Sequence, residues 1–123
     1  MAGTVAIVAS IKVDNGNLAF PKRQVSISNL VQDAVGGPSP GTVTIGTSEI
    51  DVDLSELTTE GWVLMINTDS DNYVDWGAKD TTMKPIGRME AGEPALFRMY
   101  PGATLRMQAN TAACKVEIYA FED

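Results

Sequence analysis

The chain contains no histidine, which removes at once the commonest general base, the commonest zinc ligand and the side chain that ordinarily changes charge near neutral pH. Serine–histidine hydrolysis and imidazole-held metal catalysis are excluded. A single cysteine, Cys114, allows no intrachain disulfide; this fits a reducing compartment, and equally a cysteine-poor protein assembled inside a cell and later released. Long apolar runs are missing too. None exceeds Trp62–Ile66 in length, against the roughly 20 residues of a membrane helix. The glycines form neither a phosphate loop nor a dinucleotide fingerprint, and Lys79 and Lys84 stand in no cofactor motif, so no cofactor is expected.

What is present is a chain of 123 residues, 44% hydrophobic and 20% charged, a composition that suits one compact domain spanning 1–123 and able to fold without a metal or disulfide staple. Residues 4–13 alternate apolar and polar with no basic residue ahead of them, so they read as a strand, an amino-terminal arm (1–13) or edge strand, and not as a secretory segment. Nine basic against sixteen acidic residues give a net charge of −7. The charge is segregated: residues 49–75 hold eight acids and no base, and residues 79–115 hold six bases and three acids. Such a chain is repelled by phosphate backbones, so nucleic acid is not an expected partner, and neither is a membrane. Unlike halves suit contact between copies or with a protein partner, or simply a solvated surface.

Period-two alternation runs along almost the whole chain, the pattern of half-buried antiparallel strands. Val5, Ile7, Ala9, Ile11 and Val13 share a face before the turn residues Asp14-Asn15-Gly16-Asn17, and Val25, Ile27 and Val31 share one after it. Ser28–Val35 also fits one short helix, because Leu30, Val31 and Ala34 lie at i, i+1 and i+4 with Ser28 able to cap. Gly36–Gly41 is a loop. Later strands fall at 42–45, 49–54, 62–66, 73–76, 83–88, 94–100, 104–109 and 114–121. The expected fold is an all-β antiparallel sandwich, jelly-roll-like, with about eight to ten strands.

Several residues invite a functional reading. The segment Asn67–Asp75 spaces carboxylates and amides as a calcium ion would want them, but Val74 and Asp80 stand where a helix-loop-helix calcium site needs glycine and glutamate. It is read as a hairpin loop whose Asn and Asp side chains accept backbone amides, with no metal. Asp51, Asp53, Glu56 and Glu60 offer carboxylate pairs of the kind glycosidases use, a pattern equally common on exposed strands, and no catalytic residue is assigned. Cys114 sits among inward positions and reads as a buried hydrophobe. The methionines of the carboxy-terminal half suit either core packing or a contact surface. Tyr119 and Phe121 face outward on the last strand, Trp62 begins a strand with no polar position, covered on its second face by another element or subunit, and Arg98 and Arg106 flank a Pro-Gly turn, placed to meet carboxylates from elsewhere. These five are the expected interface residues.

Gly61-Trp62 through Ile66-Asn67-Thr68-Asp69, then Asn72-Tyr73-Val74 and Gly77, Gly92-Glu93-Pro94-Ala95-Leu96-Phe97-Arg98, and Ala109-Asn110-Thr111-Ala112-Ala113 before a closing apolar strand give residues 41–123 a cadence that resembles small virion structural proteins of tailed bacteriophages. The resemblance implies a jelly-roll or related sandwich carried on the capsid surface as a decoration or cement protein, made in the host bacterial cytoplasm. Its partners would be the major capsid protein and further copies of itself, as homodimer or homotrimer. It brings no catalytic residues. The other reading is a tail- or fibre-associated carbohydrate-binding sandwich, in which Tyr73 and Trp76 would stack on sugar rings; a cupin-like enzyme lacks the imidazole ligands it would need.

Overall fold

The structure, a computed structural model, describes residues 3–32 and 36–123. Contacts divide the chain into two compact units, Met1–Ala34 and Val35–Asp123, where composition alone suggests one domain.

In the first unit, β1 (Gly3–Asn15) pairs antiparallel with β2 (Leu18–Gln32) as a two-stranded sheet. Gly16, at φ +52°, starts the two-residue turn between them, a backbone region that glycine enters without steric cost. The expected helix is absent: Ser28–Gln32 is strand, and residues 33–35 lie outside the described residues. Ahead of Leu30 the strand also carries an irregularity. Ile7 pairs with Ile27 and Val5 with Leu30, so one step of alternation in β1 is matched by an odd number of residues in β2, which is a β-bulge. A second shift separates the pairs Ile11/Arg23 and Val13/Phe20.

Both extra residues fall in β2, so β1 alternates without interruption, and each bulge returns the next apolar residue of β2 to the same side. Val5, Ile7, Ala9, Ile11 and Val13 therefore share one face with Phe20, Val25, Ile27 and Leu30, and Arg23 is the one charged residue in the row. Val31, expected beside Val25 and Ile27, pairs with Thr4 on the opposite face. Without the bulges Phe20 and Leu30 would turn away from Val25 and Ile27, since side chains reverse at every residue.

The second unit holds β3 (Ser39–Ile45), β4 (Ile50–Asp51), β5 (Glu60–Asn67), β6 (Val74–Asp80), β7 (Thr82–Met89), β8 (Pro94–Arg98), β9 (Leu105–Ala109) and β10 (Cys114–Glu122). Two four-stranded antiparallel sheets run β3-β10-β5-β8 and β4-β9-β6-β7. Only β6 and β7 are joined as neighbours in one sheet; every other connection crosses between sheets, which is the jelly-roll order. No helix occurs among the described residues, so none is long and apolar enough to cross a membrane.

Alternation sets the core. Val63 and Met65 on β5, Cys114, Val116, Ile118 and Ala120 on β10, and Val74, Met89, Leu105, Met107 and Ala109 from the other sheet are all buried. Met65, Met89 and Met107 have no exposed surface, and Met83 and Met99 are buried as well, so these methionines pack the interior, filling irregular gaps as unbranched side chains do. Cys114 faces inward as expected, and burial, assisted by the charge of Asp69, pushes its thiol above the ordinary range. The strand expected over 49–54 is formal only at Ile50–Asp51, yet Val52 and Leu54 still turn inward.

Two glycines let the second sheet pack. At the register shift between Trp76 and Gly77 the chains approach so closely that a Cβ on Gly77 would lie 1.9 Å from the Lys84 carbonyl oxygen. Across from it, a Cβ on Gly87 would meet the Trp76 indole at 2.6 Å, and the bare glycine leaves that ring free to stack on Phe97 of the opposite sheet, with centroids 4.8 Å apart and planes 9° from parallel. Such an offset pair contributes about 1 kcal/mol beyond the area it covers.

Candidate interaction surface

The sheet β3-β10-β5-β8 turns one face to the core and the other outward. Along the outward face the register aligns Pro40, Tyr119, Leu64 and Leu96 in a row that crosses all four strands. The neighbouring row is Thr42, Glu117, Ile66 and Pro94, and beyond the first row Trp62 lies opposite Arg98. Period two places these side chains on one side because their partners Val63, Met65, Val116 and Ile118 are buried on the other. Trp62, Leu64, Ile66 and Tyr119 are half-buried and Leu96 is exposed. The expectation that β5 is covered on both faces is met on one; on the second its side chains are half-buried. The Trp62 indole N–H is buried and has no hydrogen-bond partner.

Tyr119 donates its hydroxyl to Glu117 Oε1 at 2.6 Å, and this bond to a carboxylate holds the phenol above its usual pKa. Phe121 lies at the register shift near the end of β10, half-buried, with its ring against Gly37, where a Cβ would meet it at 3.0 Å. Arg98 is paired with Asp123 of the same chain. Of the five expected interface residues, Tyr119, Trp62 and Arg98 therefore share the outward face of one sheet, and Phe121 stands at its end.

Arg106 is elsewhere. It belongs to β9 in the other sheet, so Arg98 and Arg106 do not flank one hairpin, and its carboxylates come from its own chain: Asp51 at 2.7 Å and Glu49 at 3.1 Å, with Lys79 completing the group at 3.4 Å from Asp51. Glu49 is held below the usual carboxylate range by the Met83 amide and then by Arg106, and Asp51 by Arg106 and then Lys79. The acid-rich and base-rich stretches of sequence thus meet in part within the second sheet.

The Asn67–Asp75 segment is organised by backbone amides. Asp69 Oδ2 accepts from the amides of Asn72 at 2.7 Å and Asp71 at 3.0 Å, and these bonds hold its carboxyl below the usual range. Among the described residues no group of three His, Cys, Asp or Glu side chains is arranged to hold a metal. Asn67, expected only as a loop side chain that accepts a backbone amide, has a buried role that sequence reasoning missed. It is fully buried, and its Nδ2 donates to the carbonyls of Asn72, Met89 and Glu90 at 2.9, 3.1 and 3.3 Å, while Oδ1 accepts from the Asp69 amide at 3.0 Å. The available signal was its parity: Asn67 continues the inward series Val63, Met65.

Because these carboxylates ionise more readily in the folded chain than in the unfolded one, their contribution to stability is complete above the ordinary carboxylate pKa of about 4 and is lost as pH falls through the depressed folded values. The melting temperature is expected to stay level from neutral pH to about 5 and to fall below that. Asp69→Asn should melt lower than the parent at pH 7 and approach it in acid; a gap that is constant with pH would mean that the charge of Asp69 is not what the two amides hold. In the same measurement a chelator should change nothing, and a fall on chelation reversed by calcium would show that the loop binds a cation.

Compared with known proteins, the chain matches no family model, no curated protein and no solved structure.

Proposed function

We propose that the chain is a structural protein of a bacteriophage virion, a decoration or cement protein that binds the head shell as an oligomer and strengthens it. The observation that carries this reading is the outward face of the β3-β10-β5-β8 sheet, where an apolar row from Pro40 to Leu96 crosses four strands. Partly apolar sheet faces suit protein contact, and monomeric proteins rarely expose contiguous apolar patches larger than a few hundred Å². Charged groups at its margin, Lys115 and Glu117 on one side and the Arg98–Asp123 pair on the other, supply the polar rim that such contacts carry. If each copy buries about 800 Å² against its neighbours the contact is of standard size, and repetition over a shell multiplies modest affinities. The partners in this reading are the major capsid protein and other copies of the chain. Its cadence from 41 to 123 and its jelly-roll strand order point the same way.

Imaging of native particles tests the proposal: ordered copies at symmetry positions on the head support it, and copies confined to the tail overturn it. A cheaper measurement addresses self-contact. Phe121→Asp is expected to lower the oligomer mass in light scattering with the sandwich still folded, and an unchanged mass would remove Phe121 from the interface.

Carbohydrate binding by a tail-associated sandwich is less well supported by the ring geometry. One face of Trp76 is taken by Phe97, and Arg88 lies 3.7 Å over the Tyr73 ring while also paired with Asp75. Both aromatics expected as sugar platforms are therefore already engaged. Loss of glycan-array binding in Trp76→Ala would nevertheless favour it.

A further inference from the structure

We infer that the β1-β2 hairpin is an assembly element whose apolar face is covered by the same face of a second copy. The two bulges in β2 are the leading observation. Each interrupts the ladder, which costs a paired residue, and what both achieve is to bring Phe20, Val25, Ile27 and Leu30 onto the side of Val5–Val13. A hairpin that remained in water would gain nothing from this. Large apolar side chains of this face are nevertheless exposed, Ile11 by 61%, Phe20 by 44%, Val25 by 45% and Ile27 by 39%, while the other face carries only Val8 and Val31 among its exposed large apolar residues. A lone two-stranded ribbon is at best marginally stable, because it has no second layer to pack on.

The chemistry of the face suits an identical partner. At about 3.3 Å per residue, strands of 13 and 15 residues span over 40 Å. With a width of roughly 10 Å, two such faces bury about 850 Å² as a flat footprint, a small interface below the roughly 1,200 Å² of standard stable ones. Lys12 and Asp14 alternate onto the opposite side, leaving Arg23 as the face's one charge. A two-fold axis through the Ala9/Val25 row keeps the two arginines off each other. Arg23 then lies over Ile11 of the second copy when the hairpins run parallel and over Ile27 when they run antiparallel, its aliphatic stem on the apolar surface and its guanidinium at the rim. Ala9, small and central, permits close approach.

This goes beyond the virion reading and does not depend on it, since the purified full-length chain suffices as the test. The intact chain should sediment as a dimer or larger assembly, and Ile11→Asp should shift it to lower mass. Because that variant places a charge in the hairpin itself, a second measurement reads the contact directly. Cysteine is introduced at Ala9, at Val25 or, as the control on the other face, at Val8, and the proteins are treated with a short bismaleimide, to which buried Cys114 is shielded. Cross-linked dimers from Ala9→Cys alone, or from Ala9→Cys mixed with Val25→Cys, should exceed those from Val8→Cys by several-fold. A monomeric intact chain, or equal cross-linking at positions 8 and 9, overturns the inference, whereas absence from phage heads bears only on the virion proposal.

Discussion

Gly77→Ala is expected to lose about 3 kcal/mol or more of stability and to melt roughly 15 °C below the parent. The new methyl carbon would lie 1.9 Å from the Lys84 carbonyl oxygen, 2.8 Å from the carbonyl carbon and 3.0 Å from Pro85 Cα. All three obstacles are backbone, so no rotamer change relieves them, and either the β6–β7 pairing opens at the bulge or the strands splay. The loss extends beyond the hairpin, because β6 also pairs with β9 and carries Trp76 into the core. Gly46→Ala is the matched control: nothing lies within 4 Å of its added carbon, and its melting temperature should stay within about 2 °C of the parent. Equal melting of the two variants would show that the close approach at Gly77 does not exist in solution.

The second large effect is expected at Asn67. Truncation to alanine leaves the carbonyls of Asn72, Met89 and Glu90 and the amide of Asp69 without the partner each now has. The Glu90 carbonyl keeps the Glu93 amide, and only the bond to Met89 is fully buried; with about 1–3 kcal/mol for each buried polar group left unpaired, not additively, a total near 3 kcal/mol is expected. Asn67→Asp should be worse than alanine although it is nearly isosteric, since a carboxylate oxygen would then face three carbonyl oxygens in a site without solvent, and the aspartate would fold only with its proton retained. Thermal melting of the three proteins at pH 7 and pH 4 checks this: the aspartate variant should recover part of its loss in acid and the alanine variant none. An aspartate variant as stable as the parent at pH 7 would mean that the amide is not the donor.

The same residue marks how far alternation carries a reader. Where a strand alternates strictly, as β10 does, both the inward set and the burial of Cys114 are legible, because a single parity decides every position; β5 is apolar from Trp62 to Ile66, and its parity shows only in the sheet. Asn67 has the right parity and the wrong polarity, and only the three carbonyls converging from the β5–β6 and β7–β8 turns explain it. The hairpin fails for the opposite reason. Its bulges add residues to one strand, so period two is broken in the sequence while preserved in space, and Phe20 and Leu30 fall out of step with Val25 and Ile27. The arginines show a third limit: Arg106 and Asp51 are 55 positions apart, and no local spacing announces such a pair. Tyr119 was legible as facing away from the core, but Trp62, in a strand with no polar position, was not, and neither was the row across the sheet, since that depends on the order of the strands.

That order has a consequence for how the protein is made. The strand at the heart of the β3-β10-β5-β8 sheet, β10, comes after all of its neighbours in chain order, and it supplies the ladders that hold both β3 and β5. Until its residues emerge, β3 has no neighbour and the β5–β8 pair offers an open flank, so the sandwich closes only once β10 has been made, in the slow regime of milliseconds to seconds typical of such long-range β topologies. During that interval nascent chains on one message expose sticky edges to one another, and their yield is set by how quickly each finishes and how far apart they are kept.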